Sequence, residues 1–239
     1  MLLQLDGLTV RFGGVEALSV VDLALEPGAS LGLMGPNGCG KTTLFNAISG
    51  IAHPESGRIE FRGADITGLA AHDIARRGVA RTFQTVRLFD RMTVLENAAP
   101  TRLPVDLRAV MEILESVKLA GRRDALAAEL SLGEQRRLEL ARALASAPHL
   151  ILMDEPTAGL NLEETEEMVA LIRDTVLPAC ALILTEHKPD VIAALCPAAL
   201  LLDQGHKLLH AAPRELFASA AFRAAYLGIM DRPGVSQDK

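Results

Sequence analysis

Eight consecutive residues, Gly35-Pro36-Asn37-Gly38-Cys39-Gly40-Lys41-Thr42, constrain this chain more than any other feature. The pattern is glycine, four residues, then glycine-lysine-threonine. It follows the apolar run SLGLM at 30–34 and precedes a helical pattern that starts at Lys41. Glycines at these places let successive backbone N–H groups converge on one anion, and the helix that follows adds its positive dipole end. The spacing therefore reads as a cradle for the phosphates of a nucleotide. In that cradle Lys41 reaches the β- and γ-phosphates, Thr42 offers its hydroxyl to Mg²⁺, and Thr43 bonds the α-phosphate.

A second polar cluster ends the apolar run LILM at 150–153. Asp154 and Glu155 follow it directly, and then Pro156. Two acids at a strand end are by themselves a common solvated turn. With a phosphate cradle upstream they take separate roles, Asp154 toward Mg²⁺ and Glu155 as the general base on the attacking water.

The rest of the chain reads as alternating strands and helices. Residues 2–10 and 17–27 suit a hairpin about Gly13-Gly14, and a second strand pair brackets Ser56-Gly57 with Ile59, Phe61 and Ile66 as its apolar positions. Residues 106–119 carry apolar side chains at helical spacing behind Asp106, a suitable N-cap. The runs at 150–153 and 181–184 read as buried parallel strands with functional residues at their C-terminal ends. A last strand at 199–202 precedes Asp203-Gln204-Gly205.

Composition narrows the function. The 239 residues carry a net charge of −6, which argues against a nucleic-acid partner. The pairs Arg76-Arg77, Arg122-Arg123 and Arg136-Arg137 have acids nearby and read as surface. The three cysteines, Cys39, Cys180 and Cys196, lack metal-ligand spacing and suit a reducing compartment. Cys39, beside Lys41 at a helix start, is expected to be the most reactive of them. The first residues lack the pattern of a signal peptide, and the apolar stretch at 191–202 is broken by Pro197. A spanning helix needs about 20 apolar residues, so any pore is expected on another chain.

Leu130-Ser131-Leu132-Gly133-Glu134-Gln135, just upstream of the acidic strand, resembles the signature of the ABC ATPases. Ser131 and Glu134 also have the spacing of a capping box, and a capped helix start is what an anion site requires. Other elements resemble the family in order: Gln84 matches the Q-loop glutamine, His187 the switch histidine, Phe12 the aromatic that stacks on adenine, and Ala158-Gly159-Leu160-Asn161 the D-loop. The resemblance implies an α/β fold: a P-loop NTPase core with a RecA-like parallel sheet, an N-terminal antiparallel β subdomain and a short helical signature subdomain at about 88–147. It implies one nucleotide-binding domain over 1–230 and a frayed tail at 231–239. It also implies that Ser131, Gly133 and Glu134 face ATP bound to a second ATPase subunit, identical or different. His187 would then meet the γ-phosphate, and Gln84 the Mg²⁺ and the water.

Within the family, Arg81-Thr82-Phe83-Gln84, Arg87-Leu88-Phe89, the run MTVLEN at 92–97 and Tyr226-Leu227-Gly228 look most like the ATPases of branched-chain amino-acid importers, a group that extends to urea and short amides. That resemblance implies permease subunits, a periplasmic or extracellular solute-binding protein, and a peripheral place on the cytoplasmic face of the inner membrane. It also implies a groove for a permease helix, with walls at Leu88, Phe89 and Met92 and a rim at Arg87 and Arg91. Leu132 and Asn161 depart from the commonest family residues, and the stretch 97–131 is shorter than in those importers, with room for one good helix. The alternatives are an envelope-lipid exporter and, from another class, a soluble ABC ATPase serving assembly or repair. The latter commonly has two ATPase units or a long coiled coil, and this chain has neither.

Overall fold

The computed structural model describes residues 1–99 and 106–227. The tail expected at 231–239 lies outside the described residues.

Strands β1 (Leu3–Phe12) and β2 (Val15–Leu25) form the expected hairpin. Gly13 and Gly14 both have positive φ, 53° and 88°, as a tight two-residue hairpin turn requires. The buried set in β1 changes phase, from Leu3 and Leu5 to Leu8 and Val10, because a bulge interrupts the pairing between them. The second strand pair turns at a different place from the one read in the sequence. Ser56 and Gly57 open β4 (Ser56–Phe61), and the turn to β5 (Ala64–Asp65) lies at Arg62-Gly63. A Cβ on Gly57 would lie 2.5 Å from the Gly7 carbonyl oxygen, so this glycine serves close strand approach and not chain reversal.

The second sheet has six strands: β3 (Ser30–Met34), β6 (Val79–Arg81), β7 (Leu150–Asp154), β8 (Ala181–Thr185), β9 (Ala198–Asp203) and β10 (His206–Ala211). Their spatial order is β10-β9-β3-β8-β7-β6, parallel throughout except for the β10 edge. Its central strands are apolar on both faces, as a covered parallel sheet demands. Leu31, Leu33, Leu152, Ile183 and Leu200 pack toward the antiparallel sheet and helix α1 (Lys41–Ile48). Met34, Ile151, Met153, Leu184 and Leu201 pack toward the later helices.

Those later helices are α3 (Val94–Ala98), α4 (Leu107–Ser116), α5 (Leu132–Ala145), α6 (Leu162–Leu171), α7 (Pro189–Leu195), α8 (Pro213–Ala218) and α9 (Ala220–Leu227); α2 (Ala71–Arg76) leads into β6. Asp106 caps α4 as expected, accepting from the N–H groups of Arg108 and Ala109. Asn97, 1% exposed, ties the segment before α3. Its amide donates to the carbonyls of Phe89, Met92 and Thr93, and its side-chain oxygen accepts from Phe89 N–H.

Candidate nucleotide site

The glycine-rich loop, Gln84, Asp154, Glu155 and His187 meet at the C-terminal edge of the parallel sheet, where ligands of α/β folds bind. The loop leaves β3, Asp154 ends β7 with Glu155 just beyond it, His187 follows β8, and Gln84 follows β6. In the loop Gly35, Gly38 and Gly40 all have positive φ (148°, 78° and 113°). A side chain on Gly35 would collide with the Leu202 carbonyl and the Cys39 thiol.

Lys41 is buried. Its ammonium donates to the carbonyl oxygens of Gly35 at 2.6 Å and Pro36 at 3.0 Å. No carboxylate among the described residues lies within ion-pair distance of it. A buried cation held by two carbonyl dipoles and the Cys39 sulfur at 3.9 Å, with no carboxylate beside it, suits an anionic ligand, so the loop fits phosphate. The first turn of α1 carries no acid, so its N-terminal field is uncancelled. Phe12 is 52% exposed at the tip of the first hairpin. The returning strand of that hairpin runs against the loop, since a Cβ on Gly40 would lie 2.7 Å from the Ala17 carbonyl oxygen. Pro36 and Asn37 line the exposed side of the loop, Thr42 is exposed, and Thr43 is half-buried.

The acids are firmly placed. Thr185 donates its hydroxyl to Asp154 Oδ1 at 2.8 Å, and the Arg81 guanidinium lies 3.6 Å from Oδ2. Only 7% of the Arg81 side chain is exposed, and it also donates to Asn46 Oδ1 (2.6 Å) on α1 and to Ser49 Oγ (3.1 Å) at its C-cap. This arginine thereby joins the phosphate-loop helix to the acidic strand. Burial pulls its pKa down, and Asp154 opposes that pull. Glu155 has φ +50°, a left-handed conformation unusual for a side-chain-bearing residue. Its N–H is held by both the carbonyl and the hydroxyl of Thr185. Its carboxylate accepts from Gln84 Nε2 on Oε2 at 3.0 Å, and His187 Nε2 lies 2.9 Å from Oε1, within ion-pair distance. Gln84, Glu155 and His187, distant in sequence, thus meet at one carboxylate.

Ser131 caps α5, and its capping box with Glu134 is complete in both directions. None of the hydrogen bonds of Ser131, Gly133 or Glu134 reaches the loop or the acids. The chain therefore does not gather its signature segment into the site built around Lys41.

Two readings of the sequence need correction. Arg136 is not a surface residue. Only 6% of its side chain is exposed, and it donates to the carbonyls of Phe83 (3.0 Å) and Gln84 (2.6 Å). Cys39 is not poised for reaction. It is 3% exposed, and burial pushes its thiol up more strongly than Lys41 pulls it down. The residues expected to form a permease groove are not all free to do so. Arg87 lies over the Phe83 ring at 4.2 Å and Leu88 packs on the core, while Phe89 and Met92 line an open groove of about 1430 Å³.

The sequence assigned no role in the site to Thr185, Arg81, Glu186 or Tyr226, although Arg81 and Tyr226 lie in the family-like segments. Glu186 is 3% exposed and accepts from the N–H and hydroxyl of Thr157 and from His187 N–H, which ties the segment after Glu155 to the histidine. Its place between Thr185 and His187 was the available signal. Tyr226 on α9 accepts the Gly35 N–H at 2.9 Å, a contact across 191 residues that no local pattern announces.

The ABC transporter family model matches residues 18–158. The chain is 36% identical to the high-affinity branched-chain amino acid transport ATP-binding protein BraF of Pseudomonas aeruginosa, over 95% of this chain and 98% of that protein. It is 34% identical to the lipopolysaccharide export system ATP-binding protein LptB of Escherichia coli, with coverage of 95% and 97%. A crystal structure of the ADP conformation of an ATP-binding cassette of an ABC transporter superposes with a TM-score of 0.87 at 26% identity, covering 95% of this chain and 98% of that one. A family model that spans more than half the chain, on a fold that gathers these residues at one sheet edge, shows that the chain belongs to the ABC transporter family and is one of its ATPases.

Proposed function

We propose that this ATPase powers an importer of small polar solutes, branched-chain amino acids or related amides and urea, as one half of a head-to-tail pair of ATPase subunits. The observation that carries its chemistry is the Glu155 carboxylate, within 3.0 Å of Gln84 and 2.9 Å of His187 at the sheet edge that bears the phosphate loop. Glu155 takes a proton from the attacking water as that oxygen bonds to the γ-phosphorus, and ADP leaves. Gln84 orients the water, and His187 meets the γ-phosphate. Lys41 and the loop residues 35–43 hold the phosphates, and Phe12 stacks on adenine. Thr42, Gln84 and Asp154 are hard oxygen donors that suit Mg²⁺, which neutralises phosphate charge when bound. Ser131, Gly133 and Glu134 face the nucleotide of the partner subunit.

The importer assignment is supported by BraF and its LivG counterpart of Escherichia coli, each 36% identical over 95% of this chain. Among the described residues no helix is long and apolar enough to cross a membrane. We place the pore on separate permease subunits and this chain peripherally on the cytoplasmic face. A permease helix would enter the groove lined by Phe61, Phe89, Met92, Val110, Ile113 and Arg142. Residues 1–230 act as one nucleotide-binding domain with a helical part at about 88–147. Export of an envelope lipid is the second reading, supported by the likeness to LptB.

The test is uptake of labelled leucine, isoleucine and valine by cells lacking this gene. The wild-type gene should restore uptake, and Glu155→Gln should not, while binding ATP and lowering hydrolysis by at least about a hundredfold. Normal uptake without the gene, with envelope lipid retained in the inner membrane, would replace import by export. Near-normal hydrolysis by Glu155→Gln would remove Glu155 as the base.

A further inference from the structure

The two buried charged side chains of α5 have no part in the chemistry described above. Arg136 and Glu139 lie one turn apart with 6% and 3% of their side chains exposed, 3.6 Å from each other. Both face the backbone of the Q-loop. Arg136 Nη1 donates to the Phe83 carbonyl at 3.0 Å, and Nη2 donates to the Gln84 carbonyl at 2.6 Å. Glu139 Oε1 accepts the Phe83 N–H at 3.2 Å. Three backbone groups of two successive residues are therefore held by one helix. The Phe83 ring between these bonds is flanked by the guanidinium groups of Arg81 (5.0 Å) and Arg87 (4.2 Å).

Stability alone is a weak reason for this arrangement. A buried ion pair is commonly no better than well-packed apolar residues of the same size. What the pair adds is geometry. A planar guanidinium that forks onto two carbonyls fixes direction as well as distance, which a lysine ammonium does not. The anchor is stiff as well, since Leu138, Leu140 and Ala141 of the same helix are 0–1% exposed in the core. The helix has a second functional end. Its N-cap is Ser131, one and a half turns before Arg136. From the clamp, the Gln84 side chain reaches Glu155 at 3.0 Å.

We propose that Arg136 and Glu139 are positioning residues that make the Q-loop move with the signature-bearing helix, so that contact of Ser131 with the partner's nucleotide sets Gln84 in this subunit's own site. The proposal rests on the reading that Ser131 meets the partner's nucleotide. It gives one rigid element two ends, one touching each of the two nucleotides of the dimer. Closure on the far nucleotide then readies the near one for hydrolysis, with no separate conformational step.

The experiment uses the purified full chain with Arg136→Lys, which keeps the charge and loses the fork, and Glu139→Gln, which keeps an acceptor for Phe83 N–H. Turnover, its dependence on ATP concentration, nucleotide affinity, thermal melting and amide exchange at residues 82–85 are read for each. Arg136→Lys should lower kcat at least about tenfold, as loss of a near-attack arrangement does. KM and nucleotide affinity should stay within about twofold of wild type, as expected when only a transition-state interaction is lost. Exchange at 82–85 should rise about tenfold through local opening. Glu139→Gln should fall between Arg136→Lys and wild type. A merely structural pair would lower the melting temperature and leave kcat per folded molecule unchanged. Wild-type kcat with unchanged exchange at 82–85 in either folded variant overturns the proposal. If Arg136→Lys does not fold, Glu139→Gln decides by the same readings. Ser131→Ala separates the premise. If it hydrolyses ATP like wild type, the partner-facing reading fails, whereas a loosened Q-loop in Arg136→Lys still reports on the clamp itself.

Discussion

Replacing Tyr226 by Phe removes a single hydroxyl, and with it the bond that the Gly35 N–H makes across the molecule at 2.9 Å. The ring stays packed, because it stacks on Phe222 with centroids 4.5 Å apart, and Phe222 meets Phe217 edge-on. The loss is therefore one hydrogen bond plus whatever Gly35 suffers without a partner. A neutral hydrogen bond contributes about 1 kcal/mol net, and a stranded buried N–H costs about 1–3 kcal/mol. Gly35 is buried, but Tyr226 is half-exposed, so water can replace part of the bond. That puts the expected destabilisation near the low end, about 1–2 kcal/mol. In a chain of 239 residues this corresponds to a drop in Tm of about 3–6 °C. The assay is calorimetric melting of wild type and Tyr226→Phe, alone and with saturating ATP. A second signal comes free, because the chain has one tyrosine and no tryptophan, so intrinsic tyrosine emission reports on this contact alone. Emission should change when nucleotide enters the loop. A Tm within about 1 °C of wild type, where a lost buried bond should show, together with emission blind to nucleotide, would refute the idea that α9 braces the phosphate loop.

The thiols give a prediction in pH. Burial pushes Cys180 up to about 11 and Cys196 up to about 12, and raises Cys39 as well, so the native protein should resist iodoacetamide at pH 8 while the unfolded chain labels three times. The unfolded chain releases these protons near pH 9 while the folded chain keeps them, so stability falls as pH rises above about 9. Urea titrations of the Cys180→Ala/Cys196→Ala variant should show a shallower fall between pH 9 and 11, and an identical slope would dismiss the assignment. The groove gives a third. Phe89→Glu, at a side chain 58% exposed, should leave hydrolysis by the isolated chain within about threefold, as exposed substitutions do. It should also abolish co-purification with the permease from detergent extracts, and undiminished co-purification would move the docking surface elsewhere.

The strands that carry the site were legible because each is a short apolar run ending in a polar cluster, as at 30–34, 150–154 and 181–185. The cap at Asp106 and the turn at Gly13-Gly14 were legible for equally local reasons. What escaped notice depends on tertiary contact. Strand β6 has three residues and ends in a half-buried arginine, so it offers no period to read. Strand β10 is mostly exposed, so it offers no buried apolar run to read. Arg136 and Arg137 looked like one surface pair. Adjacent helical positions point about 100° apart, however, and the helix turns Arg136 inward to the Q-loop while Arg137 stays at its margin. The candidate catalytic residues were named from motif types, but the side chains that hold them, Thr185, Arg81 and Glu186, are recognisable only once the strands lie side by side.

The order of the central sheet also governs how the chain can be made. Strand β3, which leads into the phosphate loop, pairs only with β8 and β9. During synthesis its neighbours therefore emerge some 150 residues after it, once Ala181–Thr185 and Ala198–Asp203 have left the ribosome. The antiparallel sheet, by contrast, has all its strands by Asp65. A nascent chain halted between these points carries a hydrophobic strand with two unpaired edges beside a folded sheet, and such edges invite pairing with other chains. The β8 segment pairs with both β3 and β7, so its arrival joins the loop strand to the acidic strand, and newly made chains should need shelter from aggregation until it and β9 have emerged.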